Sequence, residues 1–162
     1  MTITNKKSFI FISFFIMIAD QVTKFIIKAN LSLYESVPVL GDFFQIIHVQ
    51  NRGAIWGIFS DKSDWLVQKI ITGFSIVALG IVIYFFLKLK DECRLELLSL
   101  AFISGGAVGN IIDRLVQGFV VDFLDFQIIG YHWPTFNIAD SFITVGVFLM
   151  VISVWKGDCP SI

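Results

Sequence analysis

Several carboxylates and carboxamides in this chain stand inside or beside apolar runs. Asp122 sits between apolar neighbours in Val120-Val121-Asp122-Phe123. Asn137, Asp140, Ser141 and Thr144 form a polar stripe at the head of another apolar stretch. Asn110, Asp113 and Arg114 are spaced i, i+3, i+4 at the end of a third, and Asp20 and Lys24 are spaced i, i+4 within a fourth. Ionisable groups in such surroundings are costly and usually functional. Two carboxylates sharing a low-dielectric pocket cannot both stay ionised, so one pKa rises and the pair holds a single proton. That arrangement suits peptide hydrolysis: the ionised member deprotonates a water and the protonated one polarises the scissile carbonyl. It needs neither a metal nor a Ser or Cys nucleophile. From spacing alone, the same carboxylates could equally serve proton or cation transport.

Each feature also has a plainer reading. Asp20 and Lys24 on one helical face make a structural ion pair. Gly105 and Gly109 have the G-x-x-x-G spacing of close helix packing. Asn137 is a good N-cap, which puts Asp140 in a first helical turn where the dipole favours a carboxylate. A capping carboxylate, however, does not call for a second one in an apolar run nearby, and Asp122 is that second one.

Four stretches must position these groups, at about 8–27, 65–87, 95–112 and 138–155. Each is close to the roughly 20 apolar residues that cross a bilayer core. The chain is 56% hydrophobic with mean hydropathy +0.82. Only 15% of it is charged, where soluble proteins have about 25%. The expected fold is therefore all-α and membrane-embedded, one domain over 1–162 with a four-helix bundle. Asp20 and Lys24 stand where a cleaved signal peptide would need small residues, so the first stretch reads as a retained span. The net charge of −1 excludes nucleic acid as an expected partner.

Lys6, Lys7, Lys88, Lys90, Arg94 and Lys156 all fall on one side of such a bundle. By the positive-inside rule that side is cytoplasmic, with both termini there. Cys93 and Cys159 then lie in the reducing cytosol and are expected to be unpaired. Two cysteines offer neither a disulfide framework nor a zinc cluster, and His48 and His132 read as isolated interfacial or loop residues. Between the first two spans, 30–60 reads as a small sheet on the outer face: a strand at 34–40, a turn at Gly41-Asp42 and a strand at 43–50. The second outer segment, 117–133, carries a short extended piece at 120–123.

Five pieces, in order and spread over nearly the whole chain, resemble the lipoprotein signal peptidases (signal peptidase II). Asp20-Gln21-Val22-Thr23-Lys24 is similar to that family's D-x-x-[ST]-K. Asn51-Arg52-Gly53-Ala54-Ile55-Trp56 resembles N-x-G-A-x-[WF]. The run from Gly105 to Arg114 is similar to G-G-A-x-G-N-x-x-D-R. Val121-Asp122-Phe123 resembles V-D-F, and Phe136-Asn137-Ile138-Ala139-Asp140 resembles F-N-x-A-D.

The resemblance implies a bundle with an extracytoplasmic β-cradle in the bacterial cytoplasmic (inner) membrane, and an aspartic endopeptidase active at the outer face. It implies cleavage of prolipoproteins just before a diacylglyceryl-cysteine, a site open to membrane lipid and to globomycin-type inhibitors, and no cofactor or metal. The catalytic pair is expected to be Asp122 and Asp140. Asn51, Gly53, Asn110, Arg114 and Asn137 would bind substrate or orient the pair. Asp20, Lys24 and Asp113 would give structural support, and the chain would act as a monomer. Asp113 is the rival partner for Asp140, but Arg114 and Asn110 beside it are expected to engage it; Asp125 is a weaker third candidate. A proton-coupled carrier would want polar groups through the full depth, and the second span has no ionised group between Lys69 and Lys88. A non-catalytic assembly factor is the third reading.

Overall fold

A computed structural model describes residues 6–53, 65–157 and 159. Positions 54–60 of the expected cradle lie outside the described residues, and with them Ala54, Ile55 and Trp56 of the outer motif. So do the loop charges Asp61, Lys62 and Asp64. The described chain runs α1 (Lys6–Asn30), β1 (Ser36–Leu40), β2 (Phe44–Asn51), α2 (Trp65–Lys88), α3 (Arg94–Gln117), β3 (Val120–Ile128), β4 (Tyr131–His132) and α4 (Ile138–Lys156).

All four helices are long and apolar enough to cross a membrane. They differ in what they face. The most apolar 18-residue window of α2 has mean hydropathy 2.5 and buries none of its residues against the protein, so its solvent is lipid. The matching window of α3 is 56% buried, because α1, α2 and α4 all pack on this helix. Glycines make that packing close. A Cβ on Gly105 would lie 2.6 Å from the Ser13 carbonyl oxygen of α1, and one on Gly106 would meet Ala139 and Ile143 of α4. Small residues at these crossings let the backbones touch. Gly106→Ala should therefore push α4 off α3 and cost about 1–3 kcal/mol. Thermal unfolding in detergent reads that loss.

The sheet sits at the bundle end where α1 and α3 finish and α4 starts. Its order is β1-β2-β3-β4, antiparallel throughout. The turn expected at Gly41-Asp42 is there, with Gly41 at φ 51°. The second outer segment contributes more than expected. β3 extends to Ile128 and pairs with β2, placing Val49 opposite Asp122 and Asn51 opposite Val120. Local pattern could not show this, because the partner edge lies some seventy residues earlier in the chain. Phe126 stacks on Phe44 (centroids 4.7 Å) and on Phe136 (5.9 Å), which fastens the sheet to the entry of α4.

Two expectations are corrected here. Cys93 and Cys159 are joined in a disulfide, Cα atoms 5.4 Å apart, rather than unpaired. The cause is tertiary: Gly157, at φ 68°, ends α4 and turns the tail back toward the start of α3. Nor are the histidines isolated. His48 is buried with Nδ1 3.0 Å from the Leu31 carbonyl oxygen, and His132 Nδ1 lies 2.9 Å from Asp125 Oδ2.

Candidate active site

Lys24 is the hub of the helical side of the site. It stands one turn after Asp20 on α1, and its ammonium pairs with Asp20 Oδ2 at 2.8 Å and with Asp113 Oδ2 of α3 at 3.0 Å. It also donates to Asn110 Oδ1 at 2.9 Å. Lys24 is 2% exposed and Asp20 0%, so no water competes for these charges. The remaining oxygens are used as well. Asp20 Oδ1 accepts the Ala139 backbone N–H at 2.9 Å, tying α1 to the first turn of α4. Asp113 Oδ2 accepts the Val121 N–H at 3.2 Å, and Asp113 Oδ1 accepts from Gln21 Nε2 at 3.2 Å. Asp113 was expected to engage Arg114 and Asn110; its hydrogen bonds go instead to α1 and to the start of β3. Arg114, the next residue, points away from Asp113, and Asn110, one turn back on the same face, is taken up by Lys24 and Asp140, whereas α1 faces α3 across the crossing.

Asp122 reaches the same place from the sheet. Its two sequence neighbours are apolar, but its spatial neighbours are not. Asn51 of β2 donates to Oδ2 at 2.9 Å and Asn137 donates to Oδ1 at 2.7 Å. The residue is 1% exposed. Burial pushes its carboxyl up to about 7, and the negative charge of Asp140 adds to the shift, against the two asparagine hydrogen bonds. Asp125, three residues on, alternates to the other side of the strand. It accepts from Gln45 (2.5 Å) and contacts His132, away from this cluster.

Asp140 sits in the first turn of α4, and Asn137 is the N-cap as expected: its Oδ1 accepts the Asp140 N–H at 2.9 Å. Asn110 Nδ2 donates to Asp140 Oδ1 at 2.8 Å. One asparagine, Asn137, thus holds Asp122 with its amide nitrogen and the backbone of Asp140 with its amide oxygen. Asn51 also folds the loop beyond β2, its Oδ1 accepting the Gly53 N–H at 2.9 Å. Arg114 Nη2 lies 3.4 Å from the Gly53 carbonyl oxygen, so the guanidinium spans from α3 to that loop.

Gln21 is the polar residue not selected from sequence. It donates to the Gly109 carbonyl and to Asp113, and its position inside the Asp20–Lys24 piece was the available signal. Beside Asn110 and Arg114 opens a cavity of about 430 Å³, walled by Phe74 and Ala78 of α2, Ala107 of α3 and Ile143 of α4. A mostly apolar wall ending on a carboxamide and a guanidinium fits an apolar chain carrying a peptide end.

Comparison with known proteins identifies the family. A sequence model described as signal peptidase (SPase) II matches residues 12–156. The chain belongs to the signal peptidase II family. The lipoprotein signal peptidase of Geobacter sulfurreducens is 44% identical over 142 residues, 88% of each chain. That of Staphylococcus aureus is 41% identical over 156 residues, 94% of this chain and 93% of the relative. A bacterial membrane enzyme solved by the in meso method at 2.3 Å resolution superposes with TM-score 0.81 at 39% identity, over 93% of this chain and 88% of that one. A second, at 1.9 Å, gives 0.78 at 38% identity over 96% and 99%. This multi-pass bacterial membrane protein is thus a member of a peptidase family that processes prolipoproteins.

Proposed function

We propose that this signal peptidase II is an aspartic endopeptidase whose catalytic pair is Asp122 and Asp140, cutting the prolipoprotein just before its diacylglyceryl-cysteine. The observation that carries the reading is Asn137, which bonds to a carboxylate from the sheet and to the backbone of one from α4. Asp122 carries the proton and donates it toward the scissile carbonyl. Asp140 is the base that takes a proton from the attacking water. Asn110 and Asn137 aim the two carboxylates, and the Asp20–Lys24–Asp113 cluster locks α1, α3, β3 and α4 in register behind them. Arg114 and the Asn51–Gly53 loop hold substrate backbone. The diacylglyceryl chains enter through the apolar cavity at α2, α3 and α4.

The site works at the outer membrane face, with both termini cytoplasmic. The basic residues support this: Lys6, Lys88, Arg94 and Lys156 lie at helix ends remote from the sheet. The unit is taken to act as a monomer. A globomycin-type lipopeptide would compete for the same groove.

A diacylglyceryl-cysteine prolipopeptide in lipid, followed by mass spectrometry, tests the reading. Scission on the amino side of the cysteine is expected, with the unlipidated peptide cut at least about 10-fold more slowly. Scission elsewhere, or equal rates for both peptides, would sink the assignment. The pH profile follows from Asp122. Below about 7 its carboxyl keeps the proton, and above that it loses it. The cleavage rate should therefore fall about 10-fold per unit on the alkaline side. Because the folded state holds this proton more tightly than the unfolded one, the same group makes the fold less stable as pH rises from 3.8 to about 7.

A further inference from the structure

At the bundle end remote from the dyad, three metal-binding side chains converge. Cys93 is the N-cap of α3, and Glu96 lies three residues on, over the same turn. Cys159 arrives on the tail that Gly157 turns back. The two Sγ atoms and a Glu96 carboxylate oxygen all lie within 4.8 Å of one another. Cys93 and Glu96 are buried, as is Ser153 of α4, whose hydroxyl donates to Glu96 Oε1. A cavity of about 640 Å³, walled by Phe85, Leu100 and Met150, opens on Glu96, Ser153 and Cys159.

Glu96 is the unexplained member. Among the described residues, no Lys or Arg forms a salt bridge with it. A carboxylate taken out of water needs a compensating charge. Two thiolates and a carboxylate are a donor set that Zn²⁺ accepts, at about 2.3 Å to sulfur and 2.0–2.2 Å to oxygen, and the fourth position can be a water from the cavity. The N-terminus of α3 favours negative charge at Cys93. Ser153 plays the outer part, fixing the carboxylate's orientation.

We propose that Cys93, Cys159 and Glu96 form a site for a thiophilic divalent cation, Zn²⁺, that fills when the disulfide is reduced. Two low-molecular-weight thiols supply two electrons and two protons; the S–S bond breaks and they leave as their own disulfide. Zn²⁺ then displaces both cysteine protons. The ion clamps the start of α3 to the tail of α4. The reading needs a reducing environment at this end, and so rests on the orientation proposed above. Adding the reductant in detergent makes a failure to bind speak to the site alone.

The test is the full chain purified in detergent under a thiol reductant, with metal measured by elemental analysis and Co²⁺ as a spectroscopic stand-in. One Zn²⁺ per chain and a thiolate-to-cobalt charge-transfer band are expected. Cys159→Ser should abolish the band, and Glu96→Gln should weaken Zn²⁺ binding at least about 10-fold. Peptidase activity of each variant reports that it is folded. Wild-type protein that retains no Zn²⁺ and shows no band would overturn the proposal. So would a Glu96→Gln variant that binds as tightly as the wild type.

Discussion

Asp122→Asn and Asp140→Asn should each abolish cleavage of a lipidated prolipopeptide, by about 10²–10⁴-fold or more, while the protein stays folded. Asparagine keeps the shape of the side chain. At 122 its single oxygen can accept from one of the Asn51 and Asn137 amides, its own NH2 facing the other at a small cost in stability, and it cannot pass a proton to a carbonyl. At 140 it can accept from Asn110 but cannot take a proton from water. Combining the two should cost little more than either alone, because the carboxylates act as a unit. Asp113→Asn is the control. That residue's hydrogen bonds run to Lys24, Gln21 and the Val121 N–H, so it should lose stability and keep measurable cleavage. Complete loss in a folded Asp113→Asn protein would move the pairing to Asp113 and Asp140. Near-normal turnover by either Asn variant would reject the dyad, as the assembly-factor reading requires.

The largest effect on folding should come from Lys24→Met. This change leaves Asp20 and Asp113 buried around a missing ammonium, with Asn110 Oδ1 keeping only the longer hydrogen bond from Asn137 at 3.3 Å. Removing one partner of a buried ion cluster costs about 3–5 kcal/mol, because the stranded charge cannot be rehydrated. Unfolding in detergent should show it, and Asp20→Asn added to Lys24→Met should recover part of the loss. A Lys24→Met protein as stable as the wild type would mean that the cluster is not the brace between α1 and α3. Cleavage should fall too, since Asp20 holds the Ala139 N–H one residue before Asp140.

Much of this was legible before any coordinates. Apolar length and composition determine four helical spans, because only helices and closed barrels satisfy their backbone in hydrocarbon and these solidly apolar runs lack a barrel's alternation. The cost of ionisable groups in that setting marks Asp20, Lys24, Asp113, Arg114, Asp122 and Asp140, and spacing on the same helical faces adds Asn110 and Asn137 beside them. The cap at Asn137 follows from its position just ahead of an apolar run.

Other features were decided by packing between distant segments. The pairing of β2 with β3 brings Asn51 to Asp122, although 71 residues separate them. Lys24 binding to Asp113, and Cys93 meeting Cys159, likewise depend on which helix faces which. The apolar neighbours of Asp122 said nothing of the two asparagines that hold it. Local sequence reports the preferences of one segment. Which partner a buried polar atom finds depends on the approach of another segment, and here the glycines of α3, by letting α1 and α4 come close, set that approach.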